Sequence, residues 1–250
     1  MSAQLVVHGA TDVGKVRAEN QDFFAMERFD EARSLYVVAD GMGGHNGGEI
    51  ASELAVRSVV EAFGGPKLDH DIVRKRFDLA FRSAHDTIRV RSMTDPASLF
   101  GMGTTCVAVY IDGASAWWGH IGDSRIYLHN PSGLKLLTRD HSKTQAMIDA
   151  GLISEEAART HPERNIITMA LGATPILEVS RNPEPLQLDP GDRLILCTDG
   201  LTGMLTDAQI RAILDRESGA EEACRALIGA ALEAGGEDNV TVVIVGRTKE

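Results

Sequence analysis

The chain has 250 residues, of which 43% are hydrophobic and 24% charged, a composition that excludes a disordered chain and predicts one large folded domain. Its formal charge of −11 disfavours a nucleic-acid backbone or an anionic membrane as the main partner. No apolar stretch approaches the roughly 20 residues that cross a bilayer, and the first residues lack the pattern of a signal peptide.

Short apolar runs rich in β-branched residues predict seven strands along the chain. These runs are Leu5–Val7, Leu35–Ala39, Thr105–Ile111, Ser115–Ile121, Arg125–Leu128, Arg193–Cys197 and Val240–Val245. The third and fourth are separated only by Asp112, Gly113 and Ala114, a spacing typical of a hairpin. Links this short join antiparallel strands, so the sequence predicts antiparallel sheets.

Apolar residues at helical spacing predict four helices, arranged as two consecutive pairs. The predicted ranges are 48–63, 69–91, 207–215 and 219–233. Helix pairs set between runs of hairpin-linked strands favour an antiparallel sheet system covered by helices over a parallel βαβ sheet. The sequence contains no internal repeat and no linker that would divide it, so we expect a single domain over 1–250.

Residues 141–176, which we call the flap segment, have a less regular pattern of apolar residues than the rest of the chain. They contain a short helical pattern near 143–150 and a helix start near Ser154. The pattern fits either a mobile, substrate-facing segment or a plain connector.

Three cysteines, Cys106, Cys197 and Cys224, lie far apart among apolar neighbours. Their odd number and the lack of any CxxC motif disfavour a zinc site or a disulfide framework. We therefore expect buried, reduced thiols in a cytoplasmic protein.

Several aspartates stand at the ends of predicted strands. Asp40 and Asp199 each follow an apolar run and precede a glycine, and Asp238 directly precedes the last strand. If that strand runs antiparallel to the other two, the three carboxylates meet at one rim of the sheets, and Asp123 is a fourth candidate for that rim. Turn formation alone also favours aspartate at strand ends, and this simpler explanation stays open for each residue taken singly.

Carboxylates crowded within a few ångström repel one another unless they are protonated or bound to cations. Oxygen-only ligands select hard ions such as Mg²⁺ or Mn²⁺. Arg17, between the first two predicted strands, could bind a phosphate through its planar guanidinium, and Lys15 could substitute for it. A solvated surface arginine is the alternative.

At this point six stretches together resemble the type 2C metal-dependent protein phosphatase family (PPM) in its compact bacterial form. They occur in the family's order over nearly the whole chain: GKVRAENQDFF (14–24), VVADGMGGHNGGEIAS (37–52), GTTCVAVYI (103–111), HIGDSRIYL (120–128), ILCTDGL (195–201) and EDNVTVVIV (237–245). The resemblance implies an α+β fold: a four-layer α-β-β-α sandwich of two antiparallel sheets flanked by helix pairs, with a metal centre at one end.

The resemblance also implies roles for individual residues. Asp40 resembles the carboxylate that bridges two Mn²⁺ or Mg²⁺ ions, and the Gly41 carbonyl resembles a ligand of the second ion. Asp199 and Asp238 resemble the remaining ligands of the first ion, while Asp123 resembles the ligand of a weaker third ion that it shares with Asp199.

Around these ligands, Arg17 resembles the phosphate-binding arginine and Asp22 an outer-shell acid. Asn239 is expected to orient Asp238 or to cap its turn. The implied reaction is hydrolysis of a phosphoserine or phosphothreonine ester by a water activated between two ions.

Two positions depart from the family pattern. Gln21 stands where many members have Glu, which makes one outer-shell contact neutral. Met42 stands where eukaryotic relatives place a histidine that is thought to protonate the leaving group, and a thioether cannot do this. A metal-bound water, His45 or His161 are the remaining candidates for that acid.

Two other function classes stay open from the sequence alone. One is a metal-poor pseudophosphatase that only binds a phosphoprotein, and the other is a hydrolase of small phosphate esters. Under the leading hypothesis the partners are phosphorylated proteins and a cognate Ser/Thr kinase, and we expect a cytoplasmic monomer that binds neither nucleic acid nor membrane.

Overall fold

The computed structural model describes residues 4–43 and 47–248 and contains two antiparallel sheets. The first sheet has the strand order β1 (Leu5–Asp12), β12 (Val240–Arg247), β11 (Arg193–Cys197), β7 (Arg125–Asn130) and β8 (Gly133–Leu136). The second has the order β10 (Leu186–Gln187), β6 (Ser115–Ile121), β5 (Cys106–Asp112), β3 (Arg33–Met42) and β2 (Asp22–Arg28), with β4 (Gly103–Thr104) paired to β3 and β9 (Ser180–Arg181) paired to β6.

Helices form the outer layers of the described fold and also occur in the connecting segments. They are α1 (Gly47–Phe63), α2 (His70–Thr94), α3 (Pro96–Leu99), α4 (Lys143–Asp149), α5 (Glu155–Arg159), α6 (Asp199–Thr202), α7 (Asp207–Arg216) and α8 (Ala220–Glu233). The helices α1 and α2 share one apolar core with the second sheet, and α7 and α8 share another with the first sheet. A third core lies between the two sheets. Three cores between successive layers make the predicted four-layer α-β-β-α sandwich.

Strand alternation explains why both faces of the central strands are apolar. In β11, Leu194 and Leu196 face the other sheet, whereas Ile195 and Cys197 face the helices. These side chains are almost fully buried, as expected for a sheet covered on both sides.

The predicted β5–β6 hairpin is present, with Asp112 directly opposite Ser115. Strand β2 is missing from the sequence prediction, because its run DFFAMER contains no β-branched residue. It forms by pairing with β3 over seven residues and by packing Phe23 and Phe24 on opposite faces of the sheet. Tertiary packing, rather than local propensity, makes this segment a strand.

The helix ends follow the expected local chemistry. The helix α1 buries Ala51, Ala55 and Val59 at four-residue spacing and ends immediately before Gly64. The helix α7 begins with a capping box in which Thr206 and Gln209 satisfy each other's backbone amides. A search of the described residues finds no helix long and apolar enough to span a membrane.

We predict that Leu196→Ala, in the core between the sheets, lowers the free energy of unfolding by about 2–5 kcal/mol, because the site cannot collapse around the lost volume. Urea unfolding measures this. The matched control is Leu152→Ala, at a leucine that is 70% exposed, which should change stability by no more than about 0.5 kcal/mol. Equal losses in the two variants would contradict the assignment of the core.

Candidate metal centre

Strand alternation directs two carboxylates into the gap between the sheets. In β3, Tyr36 and Val38 face the opposite sheet, so Asp40, two residues further on, points the same way. In the β2–β3 register Asp22 lies directly opposite Asp40. Like charges placed directly opposite each other on neighbouring strands destabilise the pair. The two acids therefore place negative charge at one end of the otherwise apolar gap between the sheets.

The opposite sheet supplies two hydroxyl groups to this end of the gap. Thr198 follows β11 and Thr241 lies in β12, and both side chains are fully buried. Their Oγ1 atoms donate hydrogen bonds of 2.9 and 2.7 Å to Oδ2 of Asp22. Asp22 therefore bridges the two sheets.

Asp199 and Asp238 meet because two backbone segments approach closely. Asp199 begins α6, one residue after Thr198, and the next residue is Gly200. A Cβ atom on Gly200 would lie 1.9 Å from the carbonyl oxygen of Asn239, so no larger residue fits there. This contact brings the start of α6 against the segment that leads into β12, and with it Asp199 beside Asp238.

A second close approach fixes Gly41. A Cβ atom there would lie 2.1 Å from the carbonyl oxygen of Gly48 and 2.5 Å from that of Gln21. The Gly41 N–H donates to the same Gln21 carbonyl at 3.1 Å. Glycine is required because the start of α1 packs directly on the end of β3.

Asp123 lies in the turn between β6 and β7 and is 7% exposed. Burial raises its pKa well above the usual range, and the charges of Asp199 and Asp140 raise it further. Arg125 opposes this shift. The predicted fourth acid thus faces the same cluster as Asp40 and Asp199.

Burial and the charges of neighbouring acids raise the pKa values of four carboxyl groups in this cluster, those of Asp22, Asp40, Asp123 and Asp199. Burial raises the pKa of Asp22 to about 7, although the hydrogen bonds from the two threonine hydroxyls act to lower it. Burial together with the charge of Asp238 raises the pKa of Asp199 to about 6. Burial, followed by the charges of Asp22, Asp199, Asp123 and Asp238, raises the pKa of Asp40 well above its usual range. The structure brings all five acids into one electrostatic unit.

The oxygens of this unit fit divalent cations. The Oδ1 atoms of Asp22, Asp123 and Asp199 are buried and have no hydrogen-bond partner among the described residues. Buried carboxylate oxygens normally have partners, so three unpartnered ones in a single cluster indicate that cations complete the site. Across residues 4–43 and 47–248, no three His, Cys, Asp or Glu side chains lie close enough together in this structure to hold a metal ion.

Arg17 contacts one of the expected metal ligands. Its Nη2 atom donates to Oδ2 of Asp238 at 2.7 Å, with side chains 55% and 32% exposed. The other oxygen of Asp238 accepts the N–H of Asn239 at 2.9 Å. The expected phosphate-binding arginine therefore forms an ion pair with an expected metal ligand.

Asn239 organises the loop that carries Arg17. Its side-chain nitrogen donates to the carbonyl oxygens of Val13 and Glu19, both at 2.9 Å, and its side-chain oxygen accepts the N–H of Gln21 at 2.8 Å. Only its backbone N–H contacts Asp238. The side chain thus holds the β1–β2 loop rather than the Asp238 carboxylate. The Gln21 side chain lies against Gly48 at the start of α1.

The candidate acids for the leaving group are less well defined. His161 lies in the turn after α5, and its Nδ1 accepts the N–H of Glu163 at 3.1 Å, within its own turn. Met42 is the last residue of β3 and is partly buried. His45 lies outside the described residues.

Sequence reasoning missed the polar residues that support the acids: Thr105, Thr198, Thr241, Arg125, Asp140 and His141. A signal existed for the threonines, since Thr241 interrupts an otherwise apolar strand at a position facing the gap. The bidentate pair between Arg125 and Asp140 had no such signal, because 15 residues separate its members.

Known proteins are similar to this chain in both sequence and architecture. The profile of the family described as Protein phosphatase 2C matches residues 14–234. Protein phosphatase PhpP of Streptococcus pneumoniae is 35% identical over 241 residues, which cover 96% of each chain. Serine/threonine phosphatase stp of Listeria monocytogenes is 35% identical over 239 residues, covering 95% of this chain and 94% of the relative.

Solved structures agree with this similarity. The S. agalactiae serine/threonine phosphatase matches with a TM-score of 0.90 at 34% identity, covering 97% of this chain and 99% of that one. The catalytic domain of the phosphatase PstP in complex with two manganese ions matches with a TM-score of 0.85 at 34% identity, covering 98% and 99%. The chain therefore belongs to the protein phosphatase 2C family and is a metal-dependent protein-serine/threonine phosphatase.

Proposed function

We propose that Asp40, Asp199 and Asp238, with the Gly41 carbonyl, hold two Mn²⁺ or Mg²⁺ ions, and that Asp123 with Asp199 holds a weaker third ion. The observation that carries this proposal is the cluster of buried carboxylates with raised pKa values and unpartnered oxygens. All the donors are oxygens, which matches the preference of hard divalent ions. The manganese ions of the PstP relative support the same choice.

Two such ions, when bound, lower the pKa of a water held between them and offset the charge of the phosphoryl oxygens. Around them the protein supplies orientation. Asp22, held by the hydroxyls of Thr198 and Thr241, presents Oδ1 as a fixed hydrogen-bond acceptor. Asp22 then acts beside the ions as an outer-shell group.

Arg17 is the group that binds the phosphoryl oxygens. Its side chain is more than half exposed, and its loop is held by main-chain contacts to Asn239. Cation binding at Asp238 removes the ion-pair partner of the guanidinium. The planar fork is then free to bind a phosphate ester.

A thiol route is excluded by the cysteines. Cys106, Cys197 and Cys224 are buried and form no disulfide bond, and burial raises the pKa of each thiol. Nucleophilic cysteines instead have lowered pKa values and some exposure. The proposed nucleophile is therefore a water rather than a cysteine thiolate.

The substrates follow from the family. The proposed partners are phosphorylated proteins, together with a cognate Ser/Thr kinase whose products the enzyme hydrolyses, as a monomer in the cytoplasm. The chain is proposed to form one catalytic domain in which the flap segment borders the site. Arg159 donates to the carbonyl oxygen of Thr202, and Arg164 lies 3.7 Å from Glu237, so this segment contacts the segments that carry Asp199 and Asp238.

We predict that hydrolysis of a phosphothreonine peptide requires Mn²⁺ and falls at least 100-fold in Asp199→Asn, because a neutral amide binds the cation weakly. Phosphate release measures this. Asp71→Asn, at an exposed acid on α2, is the matched control and should keep wild-type activity. Equal rates with and without Mn²⁺ would contradict the proposal.

For Arg17→Ala, the expected result is a rise of about ten-fold or more in KM for the phosphopeptide, because a charge-assisted contact to phosphate is lost. Mn²⁺ affinity should stay equal or increase, since Asp238 loses its competing ion pair. Calorimetry and steady-state kinetics separate the two effects. Arg57→Ala, in an exposed pair with Glu53, serves as control, and weaker Mn²⁺ binding in Arg17→Ala would contradict this account.

The raised pKa of Asp22 predicts how the stability of the metal-free protein depends on pH. The folded-state pKa of about 7 lies above the unfolded value of 3.8, so the folded protein binds this proton more tightly than the unfolded chain does. The free energy of unfolding of the wild type therefore falls as the pH rises from about 3.8 to about 7. Asp22→Asn removes the charge and should therefore gain stability relative to wild type, by about 2 kcal/mol between pH 5 and about 8.

Chemical unfolding in the presence of a chelator, at several pH values, measures this difference. With Mn²⁺ present the trend in the wild type should reverse, because cations bind the deprotonated carboxylates. A stability difference between the two proteins that does not change with pH would show that Asp22 is ionised throughout.

A further inference from the structure

The gap between the two sheets has a second end, opposite the metal centre, and this end is open. Asp22 begins β2 at the metal centre, whereas Arg28 ends the same strand at the other end. A cleft of about 780 Å³ lies there, which we call the distal cleft. It is bordered by the starts of β1 and β3, the ends of β2 and β12, and the turn between β5 and β6. Its volume is in the range of small-molecule sites.

A glycine in β1 explains why the gap is closed in its middle and open at this end. Leu5, Val7 and Gly9 alternate onto one face of β1, and the first two pack against the core between the sheets. A Cβ atom on Gly9 would lie 2.8 Å from Cε2 of Phe24 and 3.0 Å from Sδ of Met26. The sheets therefore touch at Gly9. Towards the start of β1 the distal cleft opens between the edge strands β1 and β2.

Three strands that face the gap change from apolar to polar residues as they reach the distal cleft. In that direction their gap-facing residues are Phe24, Met26 and Arg28 in β2, Val38, Tyr36 and Ser34 in β3, and Val243, Val245 and Arg247 in β12. The alternation that directs Asp22 and Asp40 to one end of the gap thus directs two arginines and two hydroxyls to the other.

Both arginines keep their charge available. The Nη1 atom of Arg247 donates to the carbonyl oxygen of Leu188, a residue of the core between the sheets. The Nε atom of Arg28 donates to the carbonyl oxygen of Asp30 at 3.0 Å. These acceptors are neutral, and across the described part of the chain no carboxylate forms an ion pair with either guanidinium. The remaining N–H groups can therefore bind an anion from outside the chain.

The acids around the distal cleft do not cancel this charge. Both carboxylate oxygens of Asp30 are occupied, because Oδ1 accepts the N–H groups of Ala32 and Arg33 and Oδ2 accepts Nε of Arg33 at 2.6 Å. Glu27 points to the other face of β2, since it alternates with Arg28. Glu31 lies at the exposed tip of the β2–β3 hairpin. The unpaired charge on the gap-facing side is positive.

The two hydroxyls add hydrogen-bonding groups below the arginines. The Ser34 side chain is 3% exposed, and its Oγ atom is buried without a hydrogen-bond partner among residues 4–43 and 47–248. Buried hydroxyls normally have a partner, so this atom indicates a ligand group that the chain itself does not supply. Burial raises the pKa of the neighbouring Tyr36 hydroxyl, although the charge of Arg28 acts to lower it, so Tyr36 keeps its proton and can donate it.

We propose that the distal cleft binds a small amphipathic anion, an apolar chain that ends in one anionic group. The anionic group binds Arg28 and Arg247 at the mouth and accepts a hydrogen bond from Ser34, and the chain lies against Leu5 and Val7. Cationic and hydroxyl donors at the edge of an apolar interior are the features that select such a ligand. The site is distinct from the metal centre and takes no part in the phosphatase reaction.

The first test uses octane-1-sulfonate as the probe, because a sulfonate has the required charge and is not a phosphate ester. Calorimetry in the presence of Mg²⁺ measures its affinity for the whole chain. Butane-1-sulfonate should bind at least ten-fold more weakly, because each buried CH₂ group adds to the affinity. Octan-1-ol should also bind at least ten-fold more weakly, because it lacks the charge-assisted bonds. Equal binding of octane-1-sulfonate and octan-1-ol would overturn the proposal.

Variants assign the binding to the arginine at the mouth. Arg28→Gln should weaken octane-1-sulfonate binding about ten-fold and leave octan-1-ol binding unchanged. The matched control is Arg225→Gln on the outer helix α8, where the side chain is 72% exposed, because it removes the same charge far from the distal cleft. Both variants should keep the wild-type midpoint of urea unfolding, as surface substitutions do. Unchanged binding in Arg28→Gln, or equal weakening in Arg225→Gln, would overturn the proposal.

Nuclear magnetic resonance locates the probe on the molecule. Titration with octane-1-sulfonate should shift the amide signals of Gly113 and Ala114, which border the distal cleft, and leave those of Gly41 and Gly200 at the metal centre in place. Shifts only at Gly41 and Gly200 would place the probe in the catalytic centre and overturn the proposal. Sedimentation gives the last readout, since a wild-type dimer that is lost in Arg28→Gln would show that a second copy of the chain occupies the cleft instead.

Discussion

Electrostatic repulsion among buried carboxylates is the constraint around which this molecule is arranged. Five aspartates face one end of the gap between the two sheets, and the pKa values of Asp22, Asp40, Asp123 and Asp199 rise because burial and mutual charge disfavour ionisation. Only a few local groups offset that cost: two threonine hydroxyls at Asp22, and arginines beside Asp238 and Asp123. The rest is left for divalent ions, which makes the folded protein and the loaded site parts of one equilibrium.

The fold tolerates this end because the remainder of the gap is apolar and tightly packed. The same strands that direct Asp40 and Asp22 into the gap also place Tyr36, Val38 and Phe24 there. One alternation of side chains thus produces both the core and the site. At the end of the gap, glycines allow backbone segments to meet so closely that the acids converge from five separate stretches of chain.

Much of this arrangement could be predicted from the sequence because it follows local patterns. Asp40, Asp199 and Asp238 mark strand ends, and their convergence needs only antiparallel topology, which the hairpin spacing indicated. Strand β2 could not be predicted, since it depends on pairing with β3 rather than on its own residues. The link from Gly122 to His141 and that from Arg125 to Asp140 join residues far apart in sequence, so no periodic pattern reveals them. The sequence does not reveal that Arg17 pairs with Asp238, because several acids are possible partners and only their distances in the folded chain distinguish them.

The manner in which Asn239 holds the β1–β2 loop has a consequence for divergence among relatives. Its three side-chain bonds reach carbonyl oxygens and an amide, groups that every residue except proline provides. The path of the loop therefore does not depend on which side chains stand at positions 15, 16 and 18, and Val16 is 69% exposed. Substitutions there can accumulate without moving the backbone that carries Arg17. The outer surface of this short loop can thus diverge among relatives while its path is kept.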